Sequence, residues 1–249
     1  MLLNLDAGEL DTETEALWSM FDLLACACGG HAGDDVSMAK VAAFCARSMP
    51  VRASRSGQSG DPHRVRLGAH PSYPDRAHFG RRSIVVDADA LAQAVEEQCR
   101  ALAQIARGHG LSVRYAKPHG ALYHDAAREP AIAAAVLRGV IGALGDDDRT
   151  LTGKPSGDAL TIIGPPTGAL HDAALQHGLA YAREGFADRR MAGGALVPRT
   201  EHDALVTDPR KAAEQAVRLA REVDTICMHA DTPNALEIAR AVREALHGR

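Results

Sequence analysis

Seven short apolar runs, each closing on a polar cluster, punctuate the chain. Leu2 to Leu5 closes on Asp6-Ala-Gly-Glu9, Leu23 to Cys28 on Gly29-Gly-His31-Ala-Gly-Asp34, and Val65 to Ala69 on His70-Pro71. Val113 to Ala116 closes on Lys117-Pro-His119-Gly120, and Leu160 to Ile163 on Gly164-Pro-Pro166. Leu179 to Ala182 closes on Arg183-Glu184, followed by Phe186-Ala-Asp188-Arg189, and Thr225 to Met228 closes on His229-Ala-Asp231. Runs of this length bounded by Gly and Pro read as buried strands. Alanine-rich, helix-length segments separate them: Asp35 to Arg47, Asp89 to Arg107, Pro130 to Leu144, Thr167 to His177, Pro209 to Glu222 and Thr232 to Leu246. In the second of these, Leu91, Val95, Leu102 and Ile105 share most of one face. Gly178 is placed as a C-cap, Asp208 as an N-cap, and Thr232 as an N-cap with Pro233 in the first turn.

Strand and helix alternating at this spacing predict a parallel sheet, open or closed. Every strand but the fifth ends in groups capable of chemistry. A closed barrel would gather those ends at one mouth, whereas an open sheet would spread them along an edge. The pattern therefore favours a (β/α) barrel. We expect residues 1–249 to form one barrel domain with surface insertions at 48–64 and 145–158. The acidic triple Asp146-Asp147-Asp148 in the second insertion reads as a solvated charge run.

Composition narrows the setting. Hydrophobic residues make up 46% and charged residues 24%, an ordinary globular balance. Aromatics are only 4%, so the core has to be built from Ala, Val, Leu and Ile. The net charge of −4 argues against nucleic acid as a partner. No apolar run reaches the roughly 18 residues of a membrane span. The N-terminal residues carry no basic region and meet Asp6 early, unlike a signal peptide. The five cysteines, Cys26, Cys28, Cys45, Cys99 and Cys227, form no disulfide framework, so a reducing cytoplasm is expected.

Several strand-end residues are candidates for chemistry. Asp6 and Glu9 can bind a metal or act as acid and base; capping and solvated roles are the plainer alternatives. His31 and Asp34 lie in a glycine-rich turn that can approach an anion or simply form the bend. His70, His119 and His229 occupy equivalent strand-end positions. Asp6, His31 and His70 together are a reasonable ligand set for Zn²⁺ or a similar ion, although no pair has compact spacing. Lys117 at a barrel mouth can hold a carboxylate or phosphate, and His119 can exchange protons near neutrality. Arg81, Arg82, Asp188 and Arg189 are candidate anion clamps, with structural pairing as the alternative for the last two. Cys26 and Cys28 share one side of a strand and read first as small buried hydrophobes. Neither a P-loop nor a Gly-x-Ser-x-Gly elbow is present.

The same clusters carry a resemblance. Asn4-Leu-Asp-Ala-Gly-Glu9, Ala27-Cys-Gly-Gly-His-Ala-Gly-Asp34 and Leu67-Gly-Ala-His-Pro-Ser-Tyr-Pro-Asp75 resemble motifs of the LamB/YcsF family. So do Phe79-Gly-Arg-Arg82, Lys117-Pro-His-Gly-Ala-Leu-Tyr123, Glu184-Gly-Phe-Ala-Asp-Arg189, Leu196-Val-Pro-Arg199 and Asp224-Thr-Ile-Cys-Met-His-Ala-Asp-Thr-Pro233. They occur in order across nearly the whole chain. The resemblance implies a seven-stranded, TIM-like (β/α) barrel of the glycoside hydrolase/deacetylase type. It also implies that 5-oxoproline is opened to L-glutamate while ATP, with Mg²⁺, goes to ADP and phosphate, and that B- and C-type subunits are partners. The residues it would place in catalysis are Asp6, Glu9, His31, His70, Lys117 and His119. Those it would place at substrate or phosphate are Asp34, Arg81, Arg82, Asp188, Arg189, His229 and Asp231. The chain departs from the family pattern at Leu5, Ala25, Gly30 and Ala230, where Cys, Asn, Phe and Gly are usual. Two other readings stay open: a metal-dependent amide hydrolase or deacetylase working without ATP, and a non-catalytic lactam- or carbohydrate-binding barrel.

Overall fold

The computed structural model describes residues 1–48, 64–145, 159–192 and 195–248. Both expected insertions fall almost wholly outside the described residues. Seven parallel strands close into a barrel in the order β1 (Leu2–Ala7), β2 (Leu23–Ala27), β3 (Arg66–His70), β4 (Tyr115–Ala116), β5 (Thr161–Gly164), β6 (Ala180–Phe186) and β9 (Thr225–His229). The remaining two, β7 (Met191–Ala192) and β8 (Ala195–Leu196), make a small antiparallel hairpin in the excursion between β6 and β9. All seven apolar runs are barrel strands, as the pattern predicts. β6 runs on to Phe186 because Glu184 and Phe186 pair in register with Thr225 and Cys227 of β9.

The helices are α1 (Glu15–Trp18), α2 (Asp35–Arg47), α3 (Ala88–Gly108), α4 (Gly120–Arg128), α5 (Pro130–Leu144), α6 (Ala169–Gln176), α7 (Pro209–Leu219) and α8 (Ala235–His247). Asp208 caps α7 by accepting from the Lys211 amide, and Gly178, at φ 69°, closes the turn after α6. Thr232 does not cap α8. Its hydroxyl is drawn to Asp188 at 2.6 Å, and the helix starts after Asn234 in the left-handed region at φ 63°. No helix among the described residues is long and apolar enough to cross a membrane.

Strand periodicity sorts side chains into two layers. Leu3, Leu5, Leu24, Cys26, Leu67 and Ala69 are fully or almost fully buried in the hydrophobic core that the helices cover. Register sets Asn4, Asp6, Ala25, Gly68, His70, Glu184, Cys227 and His229 on the opposite, interior face. Small residues at 25, 27 and 68 leave that interior room for polar side chains. Trp18 of α1 packs edge-on against Phe44 of α2 at 5.4 Å, one of the few aromatic anchors in an alanine-rich core.

Candidate functional site

Lys117, one residue beyond β4, is buried at the centre of the barrel. Its ammonium lies 2.6 Å from Asp6 Oδ1, 3.0 Å from Glu184 Oε1, 3.3 Å from Asn4 Oδ1 and 3.0 Å from Cys227 Sγ. Asn4 in turn donates to Glu184 and Thr225. Lys117 is therefore engaged by internal carboxylates, where the sequence reading has it facing a ligand carboxylate or phosphate. Burial would raise the Asp6 pKa, but His70 and Lys117 beside it hold the carboxyl well below its usual range. Asp6, Cys227 and His229 could by distance hold an ion. The Lys117 ammonium already fills that role for Asp6 and Cys227, so this trio does not fit a metal.

Above it, four donors converge from the ends of β1, β2, β3 and β4. Glu9 Oε1 lies 2.8 Å from His31 Nε2, 3.1 Å from His119 Nδ1 and 3.6 Å from His70 Nε2. His31 and His119 stack with ring centroids 3.6 Å apart. The tautomers follow from the outer partners. His70 Nδ1 faces the Lys117 carbonyl at 2.7 Å and His119 Nε2 faces the Phe79 carbonyl at 3.1 Å. Carbonyls only accept, so both protons sit on those nitrogens. The lone pairs of His70 Nε2 and His119 Nδ1 then face each other at 2.9 Å, with Asp6 Oδ2 3.3 Å from His70. Burial pushes the pKa values of His31 and His119 below their usual range. Burial would raise the Glu9 pKa, but His119 and His31 beside it hold the carboxyl well below its usual range.

Such an acceptor-rich cluster calls for a cation. A tetrahedral ion with bonds of about 2.0–2.2 Å keeps its ligands roughly 3.3–3.5 Å apart, close to the separations here. Glu9, His31, His70 and His119 therefore fit a divalent ion such as Zn²⁺. The set differs from the sequence expectation: His31 and His70 belong to it, and Asp6 gives way to Glu9 and His119. The carbonyl that orients His70 is an outer-shell partner of the kind metal-bound histidines use.

Loops and turns fix these donors. Glu13, a residue that no motif marks, is 6% exposed and accepts from the Gly8, Glu9 and Leu10 amides at 2.8–2.9 Å and from the Trp18 indole at 2.8 Å. It shapes the loop that presents Glu9; its only sequence signal is a carboxylate just before the Thr14 cap of α1. Each Glu13 oxygen receives two N–H donors, so a Gln amide would set an NH₂ against two of them. Glu13→Gln is expected to lower the melting temperature by several degrees, from a loss of about 2–3 kcal/mol, and to reduce turnover by displacing Glu9. An unchanged melt would exclude this role. Phe79 and Gly80 adopt φ values of 55° and 61°. This left-handed turn brings Gly80 against His31 and His119, where a Cβ would lie 2.9 Å from the His31 Cβ.

The remaining candidates divide. Asp188, wholly buried, accepts from the His229 amide at 2.8 Å, its ring Nδ1 at 3.0 Å and the Thr232 hydroxyl. It orients His229 rather than binding an anion; His229 Nε2 lies 3.7 Å from Asp6. Asp34 is exposed and caps α2 by accepting from the Ser37 amide, so it too is structural. Arg82 is exposed and joins none of these clusters. Arg81 pairs with Asp231, as does Arg199, a residue of the quoted motifs not placed at the site beforehand. Arg189 is buried and donates to the Val197 carbonyl. Cys26 and Cys28 lie in the hydrophobic core, as expected, and burial raises the Cys28 thiol to about 12.

The departures from the family pattern have physical readings. Leu5 lies fully buried in the hydrophobic core that the helices cover. Ala25 faces the interior beside Asp6, so a polar group is missing there. At Gly30 a Cβ would collide with the Gln98 amide and the Ser72 hydroxyl. Gln98 occupies that space, pairing with the Ser72 backbone through both ends of its amide.

Protonation links the site to stability. Asp6 and Glu9 have folded pKa values below their ordinary 3.8 and 4.5, and His31 and His119 lie below the ordinary 6.5. In all four cases the unfolded chain takes up protons first as pH falls, so each contribution is lost on acidification. Metal-free protein should melt at a nearly constant temperature between about pH 7 and 8. Its melting temperature should then decline from about pH 6.5 to below pH 4. A flat profile between pH 7 and 4.5 would contradict these assignments.

Comparison with known proteins agrees with this architecture. The A-type subunit of 5-oxoprolinase from Streptomyces coelicolor is 38% identical, the match covering 98% of this chain and 94% of that protein. Its counterpart from Methylococcus capsulatus is 36% identical over 99% and 92%. The crystal structure of a lactam utilization protein from Thermus thermophilus superposes with a TM-score of 0.80 at 29% identity, covering 100% of this chain and 96% of that one. The LamB/YcsF family model matches residues 3–249, and with these relatives it establishes that the chain belongs to the LamB/YcsF family.

Proposed function

We propose that the chain is the A-type component of a 5-oxoprolinase, opening 5-oxoproline to L-glutamate with ATP going to ADP and phosphate. It works with B- and C-type partner subunits, in the cytoplasm. The observation that carries this reading is the convergence of Glu9, His31, His70 and His119 on one point at the barrel mouth. The names of the relatives direct it to a lactam.

The chemistry suits the groups present. A five-membered lactam is an unreactive amide, and phosphorylating its oxygen makes the carbonyl carbon electrophilic. Water then adds across the C–N bond: hydroxide goes to the carbonyl carbon and a proton to the nitrogen, which leaves the phosphoryl group on the new carboxyl oxygen, and a second water cleaves that acyl phosphate to glutamate and phosphate. The lone pairs of His70 and His119 are placed to take a proton from that water. Asp6, kept ionised by His70 and Lys117, favours the imidazolium that results. Stacking and outer hydrogen bonds hold both rings in place, which supplies the orientation such a step needs. A divalent ion held by the four donors would occupy those lone pairs and supply Lewis acidity and an activated water in their place. A cleft of about 660 Å³, lined by Glu9, His31, Lys40, Arg76 and Phe79 among others, leads to the cluster and is ample for a small ring.

The same cluster also supports a second reading, a metal-dependent amide hydrolase independent of ATP. Glutamate release from labelled 5-oxoproline, with and without ATP, separates the two. The tagged chain should be recovered with its co-purifying subunits. We expect release only with ATP. Release without ATP would favour the second reading. Binding without release, with the B- and C-type subunits demonstrably present, would point to a non-catalytic barrel.

A further inference from the structure

Three guanidinium groups gather near one carboxylate at the rim of the barrel. Arg81 follows the Phe79–Gly80 turn, while Arg189 and Arg199 come from the excursion between β6 and β9. Arg81 Nη2 and Arg199 Nη1 both donate to the same oxygen of Asp231, at 2.9 and 2.6 Å. The other oxygen, Oδ1, is buried with no partner among the described residues. Each guanidinium thus gives Asp231 a single bond, and neither uses the paired geometry that a carboxylate accepts best. Arg189 is 7% exposed, and its Nε is a buried donor without an acceptor among the described residues. Asp188, the other carboxylate whose charge acts on Arg189, is spent on His229 and Thr232. Positive charge here therefore exceeds the single negative charge of Asp231.

The position gives this surplus a meaning. Asp231 lies two residues beyond His229. Arg81 lies two residues beyond Phe79, whose carbonyl receives His119. The Arg81 guanidinium is braced 4.7 Å above the Phe79 ring, and that ring also lines the cleft. Burial lowers the Arg199 pKa, but Asp231 more than offsets this, so Arg199 stays charged beside the site.

We infer that Arg81 and Arg199, with Arg189 behind them, seat the α-carboxylate of the lactam, and that Asp231 competes for the two guanidiniums and neutralises them until that carboxylate arrives. The inference rests on the lactam reading above and adds the group by which the substrate is chosen: a small cyclic amide bearing an anionic carboxylate. It also makes Arg199 and Asp231 specificity determinants outside the reacting centre.

The test compares 5-oxoproline with its neutral carboxamide, which keeps the ring and loses the charge. Binding of each to the chain with its partner subunits is measured by calorimetry. Wild type is expected to prefer the acid by about 10- to 100-fold, the range for charged hydrogen bonds lost. Arg199→Ala should bring the two within a few-fold by weakening only the acid, and Arg199→Lys should restore part of the preference. Asp231→Asn leaves both arginines and removes the competing carboxylate, so it should tighten the acid; a merely structural Asp231 would weaken it. Equal wild-type affinities, parallel weakening of both compounds in Arg199→Ala, or weaker acid binding in Asp231→Asn would overturn the inference alone. Failure of wild type to bind either compound would overturn the lactam reading and this inference with it.

Discussion

Replacing His119 by Ala is expected to abolish turnover, by about 10³-fold or more, while the barrel stays folded. The ring contributes three things at once. Its Nδ1 lone pair faces His70, its Nε2–H is fixed by the Phe79 carbonyl, and its face stacks on His31. An Ala leaves none of these and removes one of four converging donors. Metal content, measured on protein purified without chelators, should fall from about one divalent ion per chain to a small fraction. Circular dichroism and melting should change little, because α4, which follows His119, is held by its own buried face of Leu122, Tyr123 and Ala126. Wild-type turnover in this variant would remove His119 from the mechanism. Full metal content would remove it from the ligand set.

Lys117→Met should act the opposite way, on the fold before the chemistry. Asp6 and Glu184 share the ammonium in the barrel interior. Removing the cation leaves buried carboxylates uncompensated, which costs about 3–5 kcal/mol. For a chain of this size that lowers the melting temperature by roughly 6–20 °C. Adding Asp6→Asn should recover part of the loss, since it removes one of the stranded charges. A Lys117→Met protein melting within about 2 °C of wild type would show that the network contributes no stability.

The two variants mark where the sequence was legible. Strand and helix positions follow from apolar runs and punctuation, which depend on local spacing, and α2 and α5 begin and end where the pattern puts them. Helix α4 was hidden because Gly120 to Arg128 follows the Lys117-Pro-His119 cluster with no break between motif and helix. Site membership was partly legible, since strand ends in a closed barrel must converge. What each residue does there was not. Lys117 and Asp188 look like anion ligands in sequence. Their partners, Asp6, Glu184 and His229, are distant along the chain, and only register brings them together. Asp34 could be read as a ligand or as a cap with equal ease, and the Ser37 amide decides it. Glu13 and Gln98 carry no motif of their own. Their roles come from backbone amides that point at them after the loops have folded.

The five free cysteines are all buried, but on different sides of the sheet. Cys26, Cys28, Cys45 and Cys99 lie in the layer between strands and helices, while Cys227 faces the barrel interior against Tyr123 and Phe186. A thiol reagent added to the native protein can therefore reach them only when the structure opens. The four outer thiols keep time for the helices lifting from the sheet. Cys227 keeps time for the barrel itself coming apart, so the protein carries built-in clocks for two separate unfolding events.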